Sequence, residues 1–280
     1  LLRDKKVMAR KKKSDKTEEE TTMDADAVET TEGAEGGAPA NMPLFYKSPA
    51  PLDASKHGSM GLKKNFGLGF TAKTNAVPIN MIEMPQISHF YPIAFSPDAQ
   101  ATPVAILGLR DSENLFVNKD GEWNENTYIP AYIRRYPFIF SEFPGNDQLT
   151  LCVDMDDSIV EENGEQGFFK EDGTASDLSQ NALEFCKSYH AAAQQTMNFS
   201  KELNDKGLLI ERQAEINTAD GKRISFSGFR IIDEKKLNEL PDEDFLAWRQ
   251  KGWLPFIYAH LFSGSQWQRL TALLNKKVKA

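Results

Sequence analysis

The sequence predicts an α+β protein: a duplicated antiparallel β unit, arranged about a pseudo-twofold axis, followed by a long packed helix and a helical C-terminal cap. Three observations support this class. Strand-like apolar runs are concentrated before residue 175, one segment of that region occurs twice, and helix-spaced apolar residues follow it. An α/β fold would need long helices between strands, and the sequence leaves room there only for short helices at 84–91 and 129–136.

The first 42 residues differ in composition from the rest of the chain. They are rich in Lys, Glu, Thr, Asp, Ala and Gly and contain no aromatic residue. Such a segment cannot bury enough apolar surface to offset the entropy of ordering. We therefore predict a disordered charged tail at 1–42 and a single domain at 43–277. Early in that domain, the alternating stretch at 66–70 predicts a strand with glycines on one face.

One segment of the chain occurs twice. Residues 84–96 read MPQISHFYPIAFS and residues 129–141 read IPAYIRRYPFIFS. The positions shared at a constant offset are Pro85/Pro130, Tyr91/Tyr136, Pro92/Pro137, Phe95/Phe140 and Ser96/Ser141. Each copy is followed by an apolar run and then by a short run that closes on Asp-Gly, a tight-turn signal. This pattern predicts an internal repeat of 84–123 and 129–175.

The second half of the chain carries the helix signals. Apolar residues spaced alternately four and three apart predict a helix over 176–206 that ends before Gly207. They are Leu178, Ala182, Phe185, Tyr189, Ala192, Thr196, Phe199 and Leu203. We expect this face to pack on the protein's own sheet; the alternative is a coiled-coil seam in a homodimer. A hairpin at 208–216 and 224–232 follows, because the turn signal Asp220-Gly221 stands between the two runs. A helix after Pro241 and a last helix from about 265 complete the chain.

Composition bears on several function classes. The net charge of −8 argues against a nucleic-acid partner, which needs a basic face. There is no uninterrupted apolar run of 18 residues, so no membrane span is predicted. The basic cluster at 10–13 is followed by acidic sequence where a secretory signal would be apolar, which favours the cytoplasm. Cys152 and Cys186 have no metal spacing and are expected to be reduced thiols. Neither a metal nor a cofactor is predicted, because the metal and nucleotide motifs do not occur.

The most distinctive polar feature is a pair of arginines in the second copy. Arg134 and Arg135 replace His89 and Phe90 of the first copy and stand directly before Tyr136. Two guanidinium forks could bind a carboxylate or a phosphate. The alternative is that each arginine forms a structural ion pair with one of the 41 acidic groups.

Other candidates are more weakly indicated. Arg110, Glu113 and Asn114 could form a polar cluster at a strand end, although such residues more often satisfy a tight turn. His57 lies in a loop without a partner at metal spacing. The sequence shows no set of catalytic residues, so none is predicted.

A series of short strings occurs in order along the chain. They are PL at 51–52 with His57, YPIAF at 91–95, LGLR at 107–110, ENLFV at 113–117, YIPAYIRRYPF at 128–138, GF at 228–229 and IYAHL at 257–261. Together, over roughly 43–277, they resemble the SapC family, named after a bacterial protein associated with paracrystalline surface layers. Single strings of this kind would be weak, whereas the ordered set is specific.

The resemblance implies a soluble, non-catalytic binding or assembly protein linked to the bacterial cell surface, with a protein or small-molecule partner. It carries over no catalytic residue. Family members occur near genes for halogenase-like proteins and outer-membrane receptors. The alternative is therefore an enzyme, or an enzyme's partner subunit, that acts on a small acidic or aromatic metabolite. Export to the cell surface by a signal-peptide-independent route is the alternative to the cytoplasm.

Overall fold

The computed structural model describes residues 42–64, 66–143, 146–218, 221 and 223–279. Strands and helices are segregated as an α+β fold requires, which confirms the predicted class. The strands are β1 Pro49–Pro51, β2 Met60–Leu62, β3 Ala76–Pro78, β4 Ile93–Phe95, β5 Pro103–Ile106, β6 Phe138–Phe143, β7 Asn146–Asp154, β8 Val160–Glu162, β9 Gln166–Gly167, β10 Leu209–Asn217 and β11 Arg223–Ile232. The helices are α1 Ala54–His57, α2 Met84–Ile87, α3 Ala131–Arg135, α4 Asp177–Asp205, α5 Glu234–Asn238, α6 Asp242–Gln250, α7 Leu254–Ser263 and α8 Gln266–Lys279. Apart from Met42, the predicted tail lies outside the described residues.

The largest sheet is antiparallel and has the order β10-β11-β4-β5-β3. Its β10–β11 hairpin confirms the one predicted from the Asp-Gly signal near 220. Two smaller sheets have the orders β1-β7-β6 and β8-β2-β9. Buried side chains of the large sheet, α4 and the C-terminal helices form the main core, and a second cluster lies under β6 and β7.

The two copies of the repeated segment share a short helix followed by a β-hairpin, but the predicted pseudo-twofold duplication is not confirmed. The hairpin of the first copy, β4–β5, belongs to the five-stranded sheet, and that of the second, β6–β7, belongs to a three-stranded sheet. The second copy also contains β8 and β9, which pair with β2. The loop at the same place in the first copy forms no such strands.

The long helix α4 matches the predicted bounds. Ser176 caps it by accepting a hydrogen bond from the backbone N–H of Ser179. The side chains of Phe199 and Leu203 are fully buried, and Thr196 Oγ1 accepts a hydrogen bond of 2.8 Å from the backbone N–H of Met81. The apolar face of α4 therefore packs on the chain's own elements, as expected.

The strand predicted at 66–70 is wrong. Gly67 has a φ of 67°, and Gly69–Thr71 forms a 3-10 helix instead. The backbone N–H of Leu68 donates a 2.7 Å hydrogen bond to the carbonyl of Gly121. A Cβ on Gly67 would lie 3.3 Å from that carbonyl oxygen, so the glycines allow a turn and a close backbone approach rather than a pleated strand.

The C-terminal helices begin and end close to the predicted points. α6 starts after Pro241 with three acidic residues in its first turn, and Gly252, with a φ of 71°, follows its end. Trp248 of α6 is fully buried. Along the described part of the chain, no helix is both long and apolar enough to cross a bilayer.

Candidate functional site

A cavity of about 250 Å³ lies between α3, α4 and the segment around α2. Its walls combine charged, amide, phenolic and aromatic side chains: Glu83, Gln86, Tyr128, Arg134, Phe185 and Tyr189. The cavity contains one of the two predicted arginines. It is therefore the candidate site to which the arginine pair of the sequence points.

Glu83 fixes the geometry of this region. Its Oε2 accepts a 3.0 Å hydrogen bond from the backbone N–H of Asn80, which completes a capping box on the 3-10 helix Met81–Glu83. Its Oε1 accepts hydrogen bonds from the backbone N–H of Ala131, at 2.7 Å, and from the hydroxyl of Tyr128, at 2.9 Å. The carboxylate thus ties the start of α3 to the preceding segment.

Arg134 lies on the exposed last turn of α3. Its Nε donates to the carbonyl of Ile129 at 3.0 Å, and its Nη2 donates to the hydroxyl of Tyr128 at 2.9 Å. The guanidinium carbon lies 5.4 Å from the ring centroid of Tyr128 and 5.3 Å from that of Phe185. Two hydrogen bonds and two aromatic rings therefore hold this guanidinium in one place.

Tyr128 connects the cation and the carboxylate. It accepts from Arg134 and donates to Glu83. Burial, together with the negative charge of Glu83, raises the pKa of Tyr128 to about 12. The phenol is therefore protonated at neutral pH, as its donation to Glu83 requires.

Arg135 points away from this cavity into a cluster of tyrosines. Its guanidinium carbon lies 4.5 Å from the ring centroid of Tyr189, 4.7 Å from that of Tyr132 and 5.7 Å from that of Tyr46. Its Nε is buried and has no hydrogen-bond partner among the described residues. Burial raises the pKa of all three phenols.

The expected alternative, a structural ion pair for each arginine, is not observed. Within the described ranges, no carboxylate lies at ion-pair distance from Arg134 or Arg135. Aromatic faces take the place of the counter-ions. Arg134 lines this cavity, whereas the guanidinium of Arg135 lies among tyrosine rings. Of the two, only Arg134 is placed to contact a ligand in the cavity.

Tyr136 has a structural role. Its hydroxyl donates a 2.8 Å hydrogen bond to Asp154 Oδ2. Asp154 is fully buried and also accepts from the backbone N–H groups of Lys47, at 3.0 Å, and Ser48, at 2.6 Å. This carboxylate therefore joins β7 to the chain just before β1, and it accepts from the buried hydroxyl of Tyr136 and from two part-buried backbone N–H groups.

The remaining candidates lie elsewhere. Arg110 lines a separate cavity of about 510 Å³, and Asn114 lines another of about 440 Å³. Glu113 forms a 3.3 Å ion pair with Lys277. Asn114 Oδ1 accepts from the backbone N–H of Phe116 at 2.8 Å, the tight-turn role that the sequence left open. The three residues therefore do not join the arginines in one site.

His57 is buried at the end of α1. Its Nδ1 accepts a 3.2 Å hydrogen bond from the backbone N–H of Asp53, the residue that caps the same helix. Among the described residues no group of three His, Cys, Asp or Glu side chains could hold a metal ion. Cys152 and Cys186 are free and buried.

Glu83 and Tyr128 are site residues that the sequence does not predict, and the helical spacing places Phe185 and Tyr189 on a packing face. A signal for Glu83 was present, because Asn80 and Glu83 have the spacing of a capping box. Tyr128 opens a string that includes the arginine pair. Nothing in the local pattern shows that these residues meet the middle of α4.

Fold and cavities together define an α+β protein with an antiparallel main sheet, a long helix packed against it and an arginine held at the rim of a small cavity. The sequence model of the SapC family matches residues 52–270. The chain belongs to the SapC family. Searches against curated proteins and against solved structures find no match.

Proposed function

We propose that this chain is a non-catalytic binding protein that holds a small aromatic carboxylate in the cavity beside Arg134. One observation carries the proposal: Arg134 is fixed by its neighbours and has no described counter-ion, yet it borders a cavity. A held cation that is left unpaired favours an anionic ligand.

The donor count supports a bidentate contact. A guanidinium has five N–H donors in a fixed plane. In Arg134, Nε and one Nη2 hydrogen are used by Ile129 and Tyr128. The Nη1 hydrogens and the second Nη2 hydrogen have no partner among the described residues. One Nη1 hydrogen and this Nη2 hydrogen form an end-on fork that matches the spacing of a carboxylate.

The rest of the cavity supports an apolar, ring-shaped group on the ligand. Phe185, Tyr189 and Ile82 contribute its less polar walls. The volume of about 250 Å³ is just under the roughly 300–1,000 Å³ of common ligand sites, which favours a ligand of the size of benzoate. Glu83 also lines the cavity and its negative charge opposes an anion there, so we place the ligand's carboxylate on the side of the Arg134 guanidinium that lies away from Tyr128 and Glu83.

The cellular setting of this function is a separate proposal. Membership of the SapC family supports a link to the bacterial cell surface or surface layer, with the domain at 43–277 as the binding unit. The composition favours the cytoplasm, and signal-independent export is the alternative. Fractionation of native cells, followed by detection of the protein in each fraction, distinguishes the two.

Isothermal titration with benzoate and phenylacetate tests the proposed ligand class. We expect saturable binding to the unaltered chain, no comparable binding of the uncharged benzamide, and at least tenfold weaker binding to Arg134→Gln. Arg269→Gln is the matched control, because Arg269 also lies over an aromatic ring, that of Phe90, but does not line this cavity. Absence of binding by both acids, or equal binding by Arg134→Gln, would overturn the proposal.

A further inference from the structure

The largest sheet leaves one strand edge open beside a second cavity. We propose that this cleft binds an extended peptide segment, which adds a strand to β11 and places a carboxylate on Arg110. The cleft is separate from the Arg134 cavity, so this proposal does not depend on the first.

The open edge follows from the strand pairing. β11 pairs with β10 from Arg223 to Ile232, whereas its pairing with β4 consists of Arg230 opposite Phe95 alone. Ser227 and Gly228, the latter with a φ of 78°, form a bulge in β11, because these two residues stand opposite Gln213 alone, and the bulge bends the hairpin at this point. Over 223–229 the second edge of β11 therefore has no partner strand among the described residues.

A cavity of about 510 Å³ lies along this edge. Six consecutive residues of β11, Ile224–Phe229, line it. Successive side chains of a regular strand point to opposite faces. The cavity contacts each residue in turn over Ile224–Phe226, the regular stretch before the bulge, so there it runs along the strand's edge. Ala76 and Val104, which are half-buried, provide an apolar floor from β3 and β5.

Arg110 gives the cleft its charge. It is half-buried and lines the cavity with Asn75, and it forms no ion pair with any described residue. Asp111 beside it is exposed and does not pair with it. An unpaired, partly desolvated guanidinium is complementary to a carboxylate, either the end of a peptide or an acidic side chain.

A peptide suits these features better than a small molecule. Unpaired N–H and C=O groups of a strand edge are satisfied by another backbone in extended conformation, and apolar floors accept its alternate side chains. A small acid could contact Arg110, but it would leave the edge of β11 unpaired. We therefore commit to an extended segment of a partner protein that contains a carboxylate and no proline in the paired stretch.

The test begins with random heptapeptides displayed with free carboxyl ends and selected on the full chain. An enriched peptide is synthesised with a fluorophore and measured by fluorescence polarisation. We expect at least tenfold weaker binding to Arg110→Gln, unchanged binding to Arg269→Gln, and loss of binding when alternate peptide nitrogens are methylated. Methylation removes the donors of the added strand and needs no protein variant, so misfolding of Arg110→Gln cannot obscure the result.

Hydrogen exchange supplies an independent readout. The outward amides of 223–229 should exchange quickly in the free protein and become protected when the selected peptide is added. Selection of no peptide, binding that survives backbone methylation, or unchanged exchange at these amides would each overturn the proposal. Binding of benzoate that is lost in Arg110→Gln, without peptide binding, would show a small-molecule site instead.

Discussion

His260 should make the stability of this protein strongly dependent on pH. The imidazole is buried beneath β11, where its Nε2 accepts a 3.0 Å hydrogen bond from the backbone N–H of Ile232 and its ring lies 5.3 Å from that of Phe95. Burial lowers its pKa from 6.5 to about 4. Its neutral form is therefore the one that the folded protein contains.

The direction and size of the effect follow from the two pKa values. Between pH 6.5 and about 4, the unfolded chain binds a proton at His260 that the folded chain does not. The contribution of the neutral imidazole to the free energy of unfolding is thus fully present above pH 6.5. It is lost as the pH falls toward 4. At about 1.4 kcal/mol per pH unit, the loss between pH 7 and about 4.5 is roughly 2.5 kcal/mol.

Urea unfolding at pH 7 and at pH 4.5 measures this loss. Other groups also titrate in this range, so the informative quantity is the difference between the unaltered chain and His260→Gln, which cannot take the proton. We expect His260→Gln to be less stable at pH 7 but to lose roughly 2.5 kcal/mol less on acidification. His89→Gln, at an exposed position, should behave like the unaltered chain. Equal losses in the unaltered chain and His260→Gln would refute the reasoning.

Three further predictions concern buried groups. Asp154→Ala should lower the free energy of unfolding by about 2–3 kcal/mol, because it leaves the buried hydroxyl of Tyr136 and two part-buried backbone N–H groups without their acceptor, and a loss under about 1 kcal/mol in urea melts would contradict this. Gly108→Ala should lower the melting temperature by several degrees, since its Cβ would lie 1.9 Å from the carbonyl oxygen of Glu113; an unchanged melt would count against it. Burial raises the pKa of Cys152 and Cys186 to about 11, so Ellman's reagent at pH 8 should label them slowly in the folded chain and quickly in urea, and rapid labelling of the folded chain would disprove their burial.

Much of the fold could be predicted because its signals are local. The bounds of α4 follow from helical spacing and from Ser176 and Gly207 at its ends. The β10–β11 hairpin follows from an Asp-Gly signal between two apolar runs. In contrast, the alternation of apolar residues and glycines at 66–70 led to the wrong prediction of a strand. Only the tertiary contact with Gly121 shows that these glycines allow two backbone segments to approach closely.

The candidate site was predictable only in part. The sequence singled out Arg134 by comparison of the two copies, and the structure places it at a cavity. Arg135 looked equivalent to it, but one step along a helix turns a side chain by about a quarter of the circle. The neighbouring arginine therefore enters a cluster of tyrosines rather than the cavity.

The sequence by itself determined the class of fold, the helix α4, the β10–β11 hairpin and the family. Each of these depends on residue spacing, turn chemistry or ordered strings within short stretches of the chain. Tertiary structure alone decided which residues share a cavity. Glu83, Phe185 and the neighbouring pair Tyr128 and Arg134 come from three separate parts of the chain and meet where α3 packs on α4. It also decided that β11 meets β4 at a single pair, because which strands lie side by side depends on the packing of the whole sheet rather than on any local pattern.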